Sequence, residues 1–361
     1  MSRLSLEDEF TDEVFTRGRA AWWNSFNVPG VNVVSDERID VRTAFDRYLP
    51  WEINKTRLID GETFNESPYF GLRRSDTGRI LGVGSDTYTV VQNAEQRDLL
   101  AEALDGADYG VASIGALRHG ATTFVSVDFG EELATARSES GQLIETYLAL
   151  VNSNDGGGSL KPYATGIRPE CLNTIDAGWL AGTSFGALRH TTNIHDRLPQ
   201  LQAAIRQYLG LAPKVAKTID RLTSVTVSSE AYRRALEVCT PIPSAKVKDG
   251  KVVNAREITL AEKRRDKIID LAFNDERVGF QGTVWGAFQT FSTYDQQVKG
   301  FRKVKDSGVS QRGQVILDRH YSGLQTSNDA KRFTLVSRAL DLDPGVRATT
   351  TSSSRSVSGR P

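Results

Sequence analysis

The sequence predicts an α+β fold: a hairpin-rich antiparallel sheet with interspersed helices, followed by a mainly helical C-terminal region. Three observations carry this. Between residues 50 and 170, short extended runs are separated by turns rich in Gly and Asp. After residue 200, Leu, Ile and Ala recur at helical spacing. At 361 residues, with 39% apolar and 25% charged side chains, the chain is long enough for two folded units.

Four stretches are expected: an acidic N-terminal segment (1–50), an α+β core (51–200), a mainly helical basic region (201–345) and a disordered tail (346–361). The first contains "AAWWNSF" (20–26), whose paired tryptophans suit packing against the body or a partner. In "SPYFGLRRSDTGRILGVGSDTYTVV" the runs 68–74 and 79–83 flank the turn signal "SDTG". "VQNAEQRDLLAEALDG" reads as a helix with Asn93 at its N-cap, Glu95 in the first turn and Leu99, Leu100 and Leu104 forming a buried stripe. "YGVASIGAL" and "TTFVSVDFG" form a hairpin through "RHGA". A second hairpin follows in "TYLALVNSNDGGGSLKPYATGIRPECL", where Asp155-Gly156 marks the turn.

The phrase "GALRH" occurs at 115–119 and 186–190, each copy preceded by an expected helix (92–105 and 171–181). Two βαβ-like copies would put Arg118/His119 and Arg189/His190 at equivalent strand ends, and chance recurrence is the alternative. Later, "SAKVKDGKVVNARE" (244–257) reads as an exposed loop or small hairpin. Thr259 with Glu262 makes a capping-box pattern opening the next helix, and Lys263, Arg264, Arg265 and Lys267 spread around that helix as a solvated face. In "GTVWGAFQTFSTYDQQVKGFRKVK", Trp285, Phe288 and Phe291 share one helical face and cations follow. Such a face is either core, the preferred reading, or a platform for stacked bases. The Ser-rich end lacks apolar residues.

Charge and motifs bound the function. Residues 1–200 carry 18 Lys and Arg against 29 Asp and Glu, and residues 201–361 carry 27 against 16, so a net charge of zero conceals balances of −11 and +11. Such a split suits either a polyanionic partner for the basic half or attraction between the two halves. Two cysteines, Cys171 and Cys239, supply no disulfide framework or zinc motif. No metal and no cofactor are expected. The start "MSRLSLEDEFTDEVF" has no apolar signal core and no run approaches a membrane span, so a cytoplasmic protein with no membrane partner is expected.

The glycine run does not read as a phosphate-binding loop, because Gly158 is followed by Ser159, Leu160 and Lys161 and then by a strand, not by Lys-Ser/Thr opening a helix. A plain turn or a ligand-approaching tip remains.

Several of these segments together resemble the domain of unknown function 932 family of phage/plasmid-like proteins. They are "LGVGSDTYTVVQNAEQ" (81–96), "YLALVNSNDGGGSLKPYATGIRPECLNT" (147–174), "RHTTNIHDRL" (189–198) and "GTVWGAFQTFSTYDQ" (282–296). The resemblance implies a phage or plasmid genome and an intracellular protein, and it supplies no catalytic residue.

The leading expectation is a nucleic-acid-binding accessory protein of replication or recombination, single-strand annealing included. Single-stranded DNA is the favoured partner, with homo-oligomerisation open. The expected phosphate contacts are Arg73, Arg74, Lys161, Arg168, Arg189, Lys299, Arg302 and Lys303. One alternative is an enzyme of unknown reaction around the glycine-rich hairpin, using Asn152, Asp155, Gly156, Arg168, Cys171, Asn173 and His190, where a Cys–His pair would supply a thiolate. Another is a protein-interaction or anti-host module whose acidic N-terminal segment recruits a partner.

Overall fold

The computed structural model describes residues 14–17, 32–129, 135–137, 143–167, 174–176, 187–299 and 324–340. The paired tryptophans, the Ser-rich tail and the candidates Arg168, Cys171, Asn173, Arg302 and Lys303 lie outside them.

The architecture is α+β with a mainly helical C-terminal region. β1 (Val14–Arg17) and β2 (Asn32–Ser35) pair in parallel at one edge of the larger sheet. α1 (Val41–Tyr48) begins where the Asp40 carboxylate accepts from Thr43 N at 3.0 Å. A separate three-stranded antiparallel sheet contains β3 (Ile53–Ile59), β4 (Glu66–Arg74) and β5 (Ile80–Ser85). After α2 (Asn93–Ala103), the larger sheet continues through the hairpin β6 (Tyr109–Leu117) and β7 (Thr122–Phe129). It is completed by β8 (Thr135–Arg137), β9 (Leu143–Ser153), β10 (Ser159–Ile167), β11 (Thr174–Asp176) and β12 (Leu188–Arg189). Its strand order is β11-β10-β9-β7-β6-β1-β2, with β8 on β9 and β12 on β10.

Three expectations are corrected. Asn93 is not the cap of α2. Gln92 holds that position, with its N–H donating to the Glu95 carboxylate at 2.7 Å, while the Asn93 amide donates to Trp51 O at 2.9 Å. The expected helix over 171–181 fails at Thr174–Asp176, which pair with Thr165–Ile167 as a strand. The two "GALRH" copies are not equivalent. Arg118 and His119 sit in a tight turn at left-handed φ of 51° and 60°, whereas Arg189 lies in a two-residue edge strand and His190 is buried.

α3 (Ile194–Ser224) spans 31 residues, about 46 Å at 1.5 Å per residue. It joins two hydrophobic cores. Leu201, Ile205 and Tyr208 pack into the core of the sheets with α1 and α2, whereas Ile219 and Leu222 pack into a second, helical core. The expected boundary at residues 200/201 falls inside this helix. The second core gathers α4 (Ser229–Cys239), α5 (Ala255–Asn274), α6 (Val284–Thr293) and α7 (Leu324–Ala339). Between α4 and α5 stands a small hairpin, β13 (Val247–Lys248) and β14 (Lys251–Val252), with Asp249 and Gly250 both at positive φ. The capping box expected at Thr259 lies inside α5, which starts four residues earlier because Asn254 already ends the hairpin.

Trp285, Phe288 and Phe291 point into the second core and are at most 1% exposed. They are core residues and offer no platform for stacked bases. Beyond them, the Asp295 carboxylate meets the Arg332 guanidinium at 2.6 Å in a largely buried pair that fastens α7 to the end of α6. Trp285→Ala should therefore lower the unfolding free energy by about 3–5 kcal/mol in chemical denaturation, where an exposed platform residue would leave it nearly unchanged.

Candidate functional site

Two regions bring chemistry-bearing side chains together. One is the glycine-rich turn after β9. Its Asp155 carboxylate accepts from Ser153 Oγ at 2.6 Å and from Gly157 N at 2.9 Å, which closes the turn locally. Gly156 is at φ 86°, and a Cβ there would lie 2.0 Å from Val83 O; a Cβ on Gly82 would lie 2.0 Å from Asp155 O. The turn is thus pressed backbone-to-backbone against β5, and glycine on both sides is what permits the approach.

Around this contact lies a buried polar network. His190 brings Nδ1 to 2.9 Å from Thr89 O and Nε2 to 2.9 Å from Asn152 Oδ1, two acceptors of which a neutral ring can donate to one. Its ring stacks on Tyr88 at 4.8 Å between centroids, and the Tyr88 hydroxyl donates to Ser153 O at 3.2 Å. The Asn152 amide donates to Asn154 Oδ1 at 2.8 Å, and Asn154 donates in turn to Gly120 O at 3.0 Å. Gln92 pairs with the backbone of Ile53 in both directions at 2.9 Å, much as a strand would.

Of the loop candidates, Asn152, Asp155, Gly156 and His190 therefore converge, while Cys171 and Asn173 fall outside the described residues. The reading from sequence missed Tyr88, Gln92 and Asn154, which stand in the motif segments "SDTYTVVQN" and "SNDGGG" without any local mark of burial. What converges is a set of amides and one imidazole engaged with backbone carbonyls, an arrangement that holds loops in place. Desolvation lowers the His190 pKa, opposed by the bond to Thr89 O and by the nearby Asp155 charge. Burial pushes the Cys239 thiol up to about 12, which disfavours its thiolate.

Among the described residues, the expected phosphate contacts are scattered. Arg74 is 4% exposed; it grips both carboxylate oxygens of Asp76 at 2.7 and 2.8 Å, lies 4.2 Å over the Trp51 ring and donates to His119 O. That guanidinium serves the fold, which corrects its assignment to a phosphate. Arg73 is exposed on the same strand, its Nε donating to Gly78 O at 3.1 Å. Lys161 and Arg189 lie on neighbouring strands, where Ser159 faces Arg189, and partial burial lowers the Lys161 pKa. Lys299 is half-buried at the end of the helical turn after α6.

The second region is one from which the sequence reading took no candidate. Lys246, Lys248 and Lys251 stand exposed on the β13–β14 hairpin. The Asn254 side chain fastens its base, accepting from Lys246 N at 2.8 Å and donating to Ser244 O at 2.9 Å, and Asn254 is also the residue from which α5 starts. On α5, Arg256, Lys263 and Lys267 follow at spacings of seven and four, which places all three on one exposed stripe beside a second stripe of Glu262, Asp266 and Asp270. Arg265, on the inner side, donates to Thr240 O at 2.7 and 2.9 Å near the C-terminal end of α4. The signal that could have found the hairpin is "KVKDGKVV", where lysine and valine alternate around a turn.

A protein-family model described as "Domain of unknown function (DUF932)" matches residues 80–316. The chain belongs to that family. No curated protein and no solved structure is significantly similar to it. In this family member the matched span takes in the glycine-rich turn, the buried network, the lysine hairpin and α5. Among the described residues, no helix is long and apolar enough to cross a membrane, and no three His, Cys, Asp or Glu side chains are placed to hold a metal ion.

Two outcomes are expected of the turn and its network. Gly156→Ala should destabilise the protein by about 2 kcal/mol or more, from left-handed strain together with the clash on Val83, as read by denaturant unfolding. Because the folded-state pKa of His190 lies below its ordinary 6.5, the unfolded chain takes up this proton first. Its contribution to stability should be complete above that value and be lost as pH falls from 6.5 through the lower folded pKa. His190→Gln should flatten that part of a pH–stability curve.

Proposed function

We propose that this member of the family binds nucleic acid through the cationic face of its helical region, as an accessory protein of replication or recombination carried by a phage or plasmid. One observation supports the reading above the rest. Lys246, Lys248, Lys251, Arg256, Lys263 and Lys267 are all exposed, and none forms an ion pair with a carboxylate among the described residues. By contrast, arginines of the sheet region are engaged locally: Arg38 with Asp108, Arg42 with Asp98, Arg47 with Glu37, Arg57 with Glu66, and Arg97 with Asp46 and Asp98. The positive surplus of the C-terminal half is thus not consumed by the acidic half at these positions, which leaves a surface suited to phosphates.

With Trp285, Phe288 and Phe291 buried, stacking on that helix no longer argues for a single strand, and backbone phosphates become the point of contact. Six phosphate contacts imply a steep salt response. Gel retardation or filter binding of the full chain with duplex and single-stranded DNA should show affinity falling by about 10³-fold between roughly 50 and 200 mM salt. Absence of binding to either form at low salt would remove the reading.

A further inference from the structure

Resting on that reading, we propose that the β13–β14 hairpin is a wing that enters a groove of double-stranded nucleic acid. Its two strands are in register, Val247 opposite Val252 and Lys248 opposite Lys251. Since side chains alternate across a ribbon, Val247 and Val252 occupy one face, and Lys248 and Lys251 occupy the other together with Lys246, two residues before Lys248, and Val253 opposite it. Every one of these side chains is exposed, Val247 by 66% and Val252 by 45%.

Both faces are unfavourable for a hairpin that has only water around it. Like charges directly opposite on paired strands repel, and exposed valine pairs leave apolar surface in water. A two-stranded hairpin is also marginal by itself. This one is kept in shape by its type I′ turn at Asp249-Gly250 and by the Asn254 side chain at its base. Its turn and its base are therefore ordered while its two faces have nothing to pack on.

A groove lined by phosphates answers both features. The lysine face meets the backbone, and the valines reach sugar and base edges. A duplex major groove, about 12 Å wide, admits a two-stranded ribbon, whereas a single strand offers no groove for the second face. The Arg256 side chain, just past the hairpin base at the start of α5, extends the contact to the flanking phosphates.

The test compares the full chain with Lys246→Ala/Lys248→Ala/Lys251→Ala and, separately, Val247→Ser/Val252→Ser, on a duplex and on single-stranded DNA of equal length. All five positions are exposed, so unchanged thermal unfolding is the control for folding. The triple lysine variant should lower the slope of log K against log salt on duplex by about 2–3. The double valine variant should weaken duplex binding several-fold with the slope unchanged, and single-strand binding should hardly respond. If the parent binds DNA and both variants bind duplex with parental affinity and slope, the wing is refuted while nucleic-acid binding stands. If the parent binds no nucleic acid, the underlying reading fails. Lysine-dependent binding to vesicles containing phosphatidylserine, with none to duplex, would also overturn the wing by assigning the hairpin to a membrane surface.

Discussion

The close backbone contact between the glycine-rich turn and β5 is the constraint on which the sheet region depends. The two sheets of this region are separate in hydrogen bonding, and they meet where Asp155 and Gly156 press on Gly82 and Val83. Such proximity strands polar groups away from water, and an unpaired buried amide or carbonyl is costly. The network of Asn152, Asn154 and His190, together with Gln92 and Asn93 at the start of α2, supplies partners for carbonyls of Trp51, Ile53, Thr89, Val91 and Gly120. Of the four segments that carry the family resemblance, 81–96, 147–174 and 189–198 thus supply residues to the junction of the two sheets, while 282–296 lies in the helical core.

The same economy of partners explains the division between the halves of the molecule. In the sheet region, several arginines find carboxylates on neighbouring elements. In the helical region, the guanidiniums that point inward serve the fold: Arg265 at the end of α4, and Arg332 against Asp295 and Phe291. The hairpin lysines and the outer α5 cations Arg256, Lys263 and Lys267 stay exposed, and the charge of Lys267 acts on Asp275 at the end of α5.

How far the sequence could be read depended on the range of the interactions. The β4–β5, β6–β7 and β9–β10 hairpins were legible because each is a local pattern of alternating residues around a turn. The helical C-terminal region and the Leu stripe of α2 were legible for the same reason. Asn93 was misread because its amide serves Trp51, 42 residues away, and Arg74 was misread because Asp76, Trp51 and His119 enclose it. Asp76 stands two residues from Arg74, but nothing within a few residues of either position reports Trp51 or His119.

By itself, then, the sequence determined the fold class, the hairpins, the opposite charge of the two halves and the membership of residues 80–316 in a family. Tertiary structure alone decided which charges face water, that Trp285, Phe288 and Phe291 are core, and that Gly82 and Gly156 serve a docking contact. Local pattern follows from backbone geometry and the period of apolar residues, which neighbouring residues encode. Burial and long-range pairing follow from which distant elements come into contact, as Asn93 with Trp51 and His190 with Thr89 and Asn152 do, and no short stretch contains both members of such a pair.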